Sequence, residues 1–531
     1  MDAHLSPELN ILNISMMGPS NSFGGTGSDR WRVHSMSVGQ GLDAPYIKGA
    51  AAYAVLTAAL FSASSSAPTP VYRLYQAALG FSPLTLTIIF AAYAFSLLAA
   101  LLTVGSLSDF VGRRPMIFGA LVLNAAAMLT FVVADSTALL LLARLLQGFA
   151  TGAAAATLGA TILDLDRARG PLLNSVSPFI GLTAGALVSG TLVTYAPWPT
   201  ELIYLVILAS SLLLTLPLWQ MRETVDLKAG AWASMRPHLT VQPPARQALL
   251  KMTPANIATW ALGGFYFSLM PSLVAEATGF TTPFVGGLVV AALPLTASLS
   301  VLSLRRAATA RTLIIGTSGL ALGVAVILMG IGFGLVPLLL AGTLISGVGF
   351  GATFSGTLQT ILPLATSNER AGLVSAFYVE SYLAFSLPVI VCGLSIPVVG
   401  LLSTAYGYGV VVIVLALASL VATATTLFGI RRAPASPDNG PSWQPAVIPK
   451  GMILDEILHL IKRRAVELAG VPALRRERHY DVIRRSCVRA ALQMGQDDAA
   501  AISTAEKMVE FARAAVEIVE AGSAKRKSNE P

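Results

Sequence analysis

Two ionisable side chains stand where a chain seldom tolerates charge. Arg144, in the stretch RLLQG with Gln147 and Gly148, and Glu380 each fall well inside a long apolar run. Counted from the start of its run at 1.5 Å per residue, Arg144 lies about 10 Å in and Glu380 about 13 Å in. The second depth is close to the middle of a bilayer core roughly 30 Å thick. A charge held there is costly unless it faces a bundle interior or a partner, so such groups are functional hypotheses by default. A carboxyl at that depth can bind and release a proton as a cavity wets and dries. The bland alternatives are an Arg144 that snorkels to the interface and a Glu380 hydrogen-bonded to a facing helix. Asn124, Asn174, Asn256, Tyr266 and Gln359 could line a cavity with them. For each of these alone, interhelical hydrogen bonding is the simpler account.

A second constellation lies in a short connection, GSLSDFVGRRP at 105–115. Gly105 and Gly112 permit a tight turn where side chains would clash. Asp109 is a carboxylate suited to the positive N-terminal end of a neighbouring helix. Arg113 and Arg114 can pair with it, with lipid phosphates, or with carboxylates elsewhere. An ordinary basic loop explains neither Asp109 nor the two glycines.

This motif closely resembles the cytoplasmic loop signature of the major facilitator superfamily. The resemblance implies that Gly105, Asp109, Gly112 and Arg113 latch two halves of a transporter in its outward-facing state. Phe110 departs from the pattern, standing where the family usually has a basic residue. RLLQG resembles a second motif of the family, which implies a role for Arg144 in proton or substrate coupling. GLTAGALVSG, with Gly181, Gly185 and Gly190, approximates the glycine-rich motif of the drug/proton antiporters, with Ala186 for Pro and Ser189 for Gly. Small residues at this spacing equally serve plain helix packing.

The elements that position these residues are membrane helices. The chain is 54% hydrophobic and 12% charged, with mean hydropathy +0.70. A soluble domain carries about 25% charged residues, so this chain has too little polar surface to cover soluble cores. Twelve apolar runs, from 49–66 to 404–430, are each long enough to cross a bilayer. The expected fold is all-α and integral to the membrane: twelve transmembrane helices in two six-helix halves, with a small helical cytoplasmic tail. Even-numbered connections carry Arg113, Arg114, Arg167, Arg169, Arg222, Lys228, Arg236, Arg246, Lys251, Arg305, Arg306, Arg311 and Arg370. Odd-numbered ones offer Arg73 beside Asp135, Glu201 and Glu276. Positive charge stays on the cytoplasmic side, which puts both termini in the cytoplasm of a plasma (inner) membrane protein.

The domain reading is a disordered segment 1–48, a first bundle 49–221, a basic loop 222–252, a second bundle 253–432, a linker 433–449 and a helical tail 450–531. Met36 is a rival initiator. An internal repeat supports the division: LLQGFATGAAAATLGATIL (145–163) overlays LISGVGFGATFSGTLQTIL (344–362) without a gap. Gly148 then matches Gly347, and Gly152 matches Gly351. Duplicated halves are a transporter architecture. The tail shows three amphipathic runs, near 450–464, 472–495 and 499–521, suited to a small bundle or a protein partner.

Two cysteines, Cys392 and Cys487, imply no disulfide, and the five histidines lack metal-ligand spacing. No cofactor, metal, nucleic acid or catalytic constellation is expected. The expected function is secondary active transport of an unidentified small molecule by alternating access, coupled to protons and directed outward. A metabolite importer and a non-transporting sensor that signals through its tail are the alternatives.

Overall fold

The structure is a computed structural model and describes residues 44–225, 230–235, 243–364, 370–432 and short pieces between 480 and 517. The expectations for 1–43, for Met36, for the linker and for the first tail helix lie outside the described residues.

The polypeptide runs through α1 (Ala44–Ser66), α2 (Pro68–Leu79), α3 (Pro83–Val104), α4 (Ser108–Val111), α5 (Arg113–Val132), α6 (Thr137–Leu165), α7 (Gly170–Tyr195) and α8 (Leu202–Leu218). It continues through α9 (Ala231–Ser234), α10 (Pro243–Ser268), α11 (Met270–Thr278), α12 (Pro283–Leu304), α13 (Thr309–Phe333), α14 (Val336–Ile361), α15 (Arg370–Val399) and α16 (Leu401–Arg432). Among the described residues there is no strand. Ten spans are long and apolar enough to cross a membrane, α1 and α2 counting together as one. The pair α10 and α11, bent by 69°, gives an eleventh. The apolar helix α8 has 17 residues, the lower end of the spanning range, and completes the expected twelve.

Helix ends follow local chemistry. Ser82 accepts a hydrogen bond from the Thr85 amide and Ser136 from that of Leu139, each capping the helix that follows. Pro83 and Pro283 open α3 and α12, where a missing N–H costs nothing. Gly80 and Gly279 end α2 and α11 in left-handed conformation, at φ 65° and 74°.

Two corrections to the expected boundaries arise here. The stretch after the first span, read as ending at residue 66, is mostly helix α2. Pro68 stands at its first position, and Val71, Tyr72 and Tyr75 make a buried face. The seventh span likewise breaks at Leu269 instead of running straight from 253 to 274.

The repeat extends from sequence into packing. A Cβ at Gly148 would strike the Tyr93 carbonyl, and one at Gly152 that of Leu97, so these glycines let α6 lie against α3. In the second half, Gly347 and Gly351 stand in the same relation to the carbonyls of Leu293 and Ala297, bringing α14 against α12. Small residues without side chains in the way are how membrane helices approach closely. The halves meet along two seams, α3 with α15 and α7 with α12. Residues 429–531 form a separate compact unit, in which Tyr480, Cys487, Met508, Val509 and Val516 are buried and Arg513 lies over the Tyr480 ring.

Candidate functional site

The chemistry around Arg144 starts from a proline. Pro68 has no N–H to offer the carbonyl four residues back, so the Ser64 oxygen loses its helical partner at the junction of α1 and α2. Gln147 Nε2 donates to that oxygen at 2.7 Å and to Ser64 Oγ at 3.1 Å. Arg144 is fully enclosed and donates to the neighbouring Ser65 carbonyl at 3.1 Å. It also donates to Gln147 Oε1 at 2.6 Å, and through both Nε and Nη2 to the Tyr72 hydroxyl. Its guanidinium lies 5.4 Å from the ring of Tyr72 and 5.1 Å from that of Tyr93. Arg144 therefore faces the bundle interior and does not snorkel. Among the described residues no carboxylate pairs with it.

From Tyr93 an aromatic seam crosses into the second half, and sequence reasoning missed it. Tyr382 and Phe385 of α15 pack against Tyr93, Ala94 and Leu97 of α3. Phe90 and Phe385 are 5.0 Å apart between ring centroids, and Trp260 of α10 is 5.2 Å from Tyr382. Phe179 of α7 meets Phe350 and Phe354 of α14 at 5.8 and 5.7 Å, joining the other seam. The Trp260 indole N–H is enclosed and has no hydrogen-bond partner among the described residues. The signal was present: Tyr378, Tyr382 and Phe385 recur at a spacing that puts them on one helix face.

Glu380 is placed differently. At 3.6 residues per turn it lies roughly 140–160° around α15 from Tyr378, Tyr382 and Phe385. It shares its stripe with Leu387, Val391, Leu394 and Val398, which are 49, 59, 55 and 82% exposed and face the lipid side. Its polar neighbours are Thr253 and Asn256 of α10. Both carboxylate oxygens are enclosed without a hydrogen-bond partner among the described residues. The structure thus sets Glu380 against α10, away from the seam that holds Arg144.

The polar companions are mostly drawn into helix packing. Asn124 accepts from Ser64 Oγ and donates to Ser211 Oγ, tying α5 to α1 and α8. Asn256 donates to Ser381 Oγ, Tyr266 shares a hydrogen bond with Thr343 Oγ1, and Gln359 accepts from Thr309 Oγ1. Asn124, Asn256 and Tyr266 are buried, so none of the three presents an open cavity surface here, because an amide or phenol among apolar helices needs a partner. Asn174 is exposed, with its amide against Gly159.

At the basic end, the GSLSDFVGRRP turn is held by two acids outside the motif. Asp109 pairs with Arg113 at 2.6 Å, and Arg113 Nε reaches Asp164 at 3.4 Å. Glu223 accepts from the backbone amides of Arg113 and Arg114, at 2.8 and 3.2 Å, placing an anion on the N-terminus of α5. Gly112 takes φ 105°, and a Cβ there would meet Glu223 Oε2. Arg114 donates to the Trp219 carbonyl and lies over that indole. Gly105 sits at the end of α3, where a Cβ would strike the Leu101 carbonyl.

The glycines of α7 divide their work. Gly181 and Gly185 receive α1 at the Ala59 and Ala63 carbonyls, whereas Gly190 lies against Pro283 and Gly287 of α12 in the other half. Three hydrogen bonds join the halves among the described residues: Thr69 Oγ1 to the Phe267 carbonyl, Arg73 Nη1 to that of Thr281, and the Phe284 amide to Thr194 Oγ1. All three are at the end of the bundle away from the basic turn.

Helical halves meeting at two aromatic seams, with a buried polar cluster in the first half beside one of them, have the arrangement of a membrane transporter. The Major Facilitator Superfamily profile matches residues 54–387, and the chain belongs to that family. The inner membrane transport protein YajR of Escherichia coli (strain K12) is 30% identical over 156 residues. That match takes in 28% of this chain and 34% of the relative's own length. A solved bacterial homologue of the human lysosomal transporter Spinster, inward-facing and unoccupied, superposes with TM-score 0.59 at 14% identity. It covers 73% of this chain and 99% of the other. A mutant of the nucleoside transporter NupG superposes with TM-score 0.54 at 14% identity, covering 70% and 98%. At these identities the likeness to solved structures carries the fold alone.

Proposed function

We propose that this chain is a secondary active transporter that exports a small molecule by alternating access in exchange for protons. One observation carries the reading: among the described residues, the hydrogen bonds that join the halves all lie at the end away from the basic turn, beside a buried cation and an aromatic seam. Halves bonded to each other at one end are one of the two states that alternation requires. On this reading the basic end faces the cytoplasm of the plasma (inner) membrane, and the hydrogen-bonded end is the closed outer side. Arg144 holds the break between α1 and α2 and transmits movement at the seam to the first half. Glu380 exchanges its proton when α10 and α15 part, its carboxylate oxygens being enclosed here without a hydrogen-bond partner among the described residues. The turn at Asp109 latches the opposite state. Outward direction rests on the glycines of α7, whose pattern resembles that of proton antiporters.

The test is proton flux across the membrane of sealed proteoliposomes containing an entrapped pH dye. Addition of a transported compound from a panel of small amphiphiles drives proton movement opposite to the compound, and Glu380→Gln abolishes that movement while leaving exchange of labelled compound intact. Movement of proton and compound in the same direction overturns export. Driven transport unchanged in Glu380→Gln removes that residue from coupling.

A further inference from the structure

We infer that the seam selects by charge, accepting a planar aromatic molecule that carries a negative charge, such as an aromatic carboxylate. This rests on the transporter reading above. The first observation is an inventory. Arg144 is a fully enclosed guanidinium, whereas the ion pairs of Arg113 with Asp109 and with Asp164 are both at the basic turn. The partners of Arg144 are neutral: a phenol, a carboxamide and a backbone carbonyl. The carbonyls released at the end of α1 offset about half a charge, which leaves the centre positive.

Among the described residues, neither of two candidate sources of compensation reaches it. Glu380 projects from the far face of α15. The duplicated half supplies no carboxylate: the overlay that pairs Gly148 with Gly347 sets Thr343 opposite Arg144 and Ser346 opposite Gln147. Thr343 is occupied by a neutral hydrogen bond to Tyr266. The two halves share a fold, and one of them carries the charge.

The lining of the seam supplies the rest of the recognition. Tyr93 stands between the guanidinium and the second half, with its ring 5.1 Å from Arg144 on one side and Tyr382 and Phe385 packed on the other. Bound molecules therefore sense Arg144 across one ring, in surroundings where a charge is poorly screened. Aromatic rings also attract cations, but Tyr72 and Tyr93 already serve that purpose for Arg144. Trp260 contributes a flat surface and an enclosed indole N–H, a donor that wants an acceptor. A ring with an oxyanion meets both demands; a ring with an ammonium group meets one and is repelled by the other.

The experiment uses the purified full-length chain in phosphatidylcholine nanodiscs and three probes built on one naphthalene ring: naphthoate, naphthamide and naphthylmethylammonium. Equilibrium binding of naphthoate is expected to be at least about tenfold tighter than that of the ammonium probe, with the amide between. Arg144→Gln, confirmed as monodisperse, brings the three affinities within about threefold of one another. Trp260→Phe weakens naphthoate while keeping the order. Equal affinities, a preference for the ammonium probe, or failure of all three to bind the unaltered chain overturns the inference, and needs no variant to fold. Failure of the transporter reading shows elsewhere, as ends that do not open alternately in ligand-independent labelling, so the two cannot be confused.

Discussion

Arg144 and Glu223 solve the same problem with opposite signs. Each brings a formal charge to a helix end whose backbone groups have lost their partners: a guanidinium and its adjacent carboxamide at the carbonyls of α1, a carboxylate at the amides of α5. An acid at the first turn of a helix contributes about 0.3–1 kcal/mol, more where partly buried. Glu223→Gln keeps one acceptor but removes the charge, so a loss near 1 kcal/mol is expected, seen as a lowered midpoint of thermal unfolding in detergent. Adding salt should shrink the difference between the two proteins, since screening weakens the charged form alone. An unchanged midpoint at low salt would mean that the turn is held by Arg113 and Asp109 without help. Glu223 was not legible in the sequence, because nothing local ties residue 223 to residue 113. The tie runs across a whole bundle. Arg144 was legible by the opposite logic, since a cation inside an apolar run is conspicuous wherever it points.

At the scale of the element, glycine spacing sets how near the helices lie. Gly152→Val would drive two methyl groups toward the Leu97 carbonyl and Ala100, a pair that cannot retreat because α3 is itself wedged against α15. Overpacking of this kind costs about 1–3 kcal/mol and should lower the unfolding midpoint clearly. Gly119 lies on α5 with nothing within 4 Å of its would-be Cβ, so Gly119→Ala should be neutral or mildly stabilising through helix propensity. If both substitutions behave alike, close approach of α6 to α3 is not what Gly152 provides. Helix spans were the most readable part of this protein, because a bilayer demands long apolar runs and little else. Breaks within spans were less readable. Pro68 and Pro271 signal a loop or a fresh helix equally well, and only burial of Tyr72 and Tyr75 or of Leu273 and Val274 decides for helix. The direction of Glu380 could have been read from the stripe it shares with Leu387, Val391, Leu394 and Val398, whereas its depth alone suggested a central cavity.

For the whole molecule, two halves hydrogen-bonded at one end imply reciprocal behaviour at the other. Thr69 is fully buried where α2 meets α10, and Leu101 lies nearer the basic turn on α3, partly buried against the cluster of Tyr93, Ala94 and Leu97. In a background with Cys392→Ala and Cys487→Ser, a Thr69→Cys variant should react slowly with a membrane-impermeant maleimide applied to its own side. A Leu101→Cys variant should react readily from the basic side. Adding Asp109→Asn removes the carboxylate that pairs with Arg113 and, on the proposed role of this turn, loosens the latch of the opposite state. Labelling at Thr69→Cys should then fall further while labelling at Leu101→Cys rises. Reciprocity is the essential outcome, because a rigid pore or a sensor with a fixed cleft would leave both rates where they were. Rates that rise together would mean local loosening of each helix end instead of one body rocking against another.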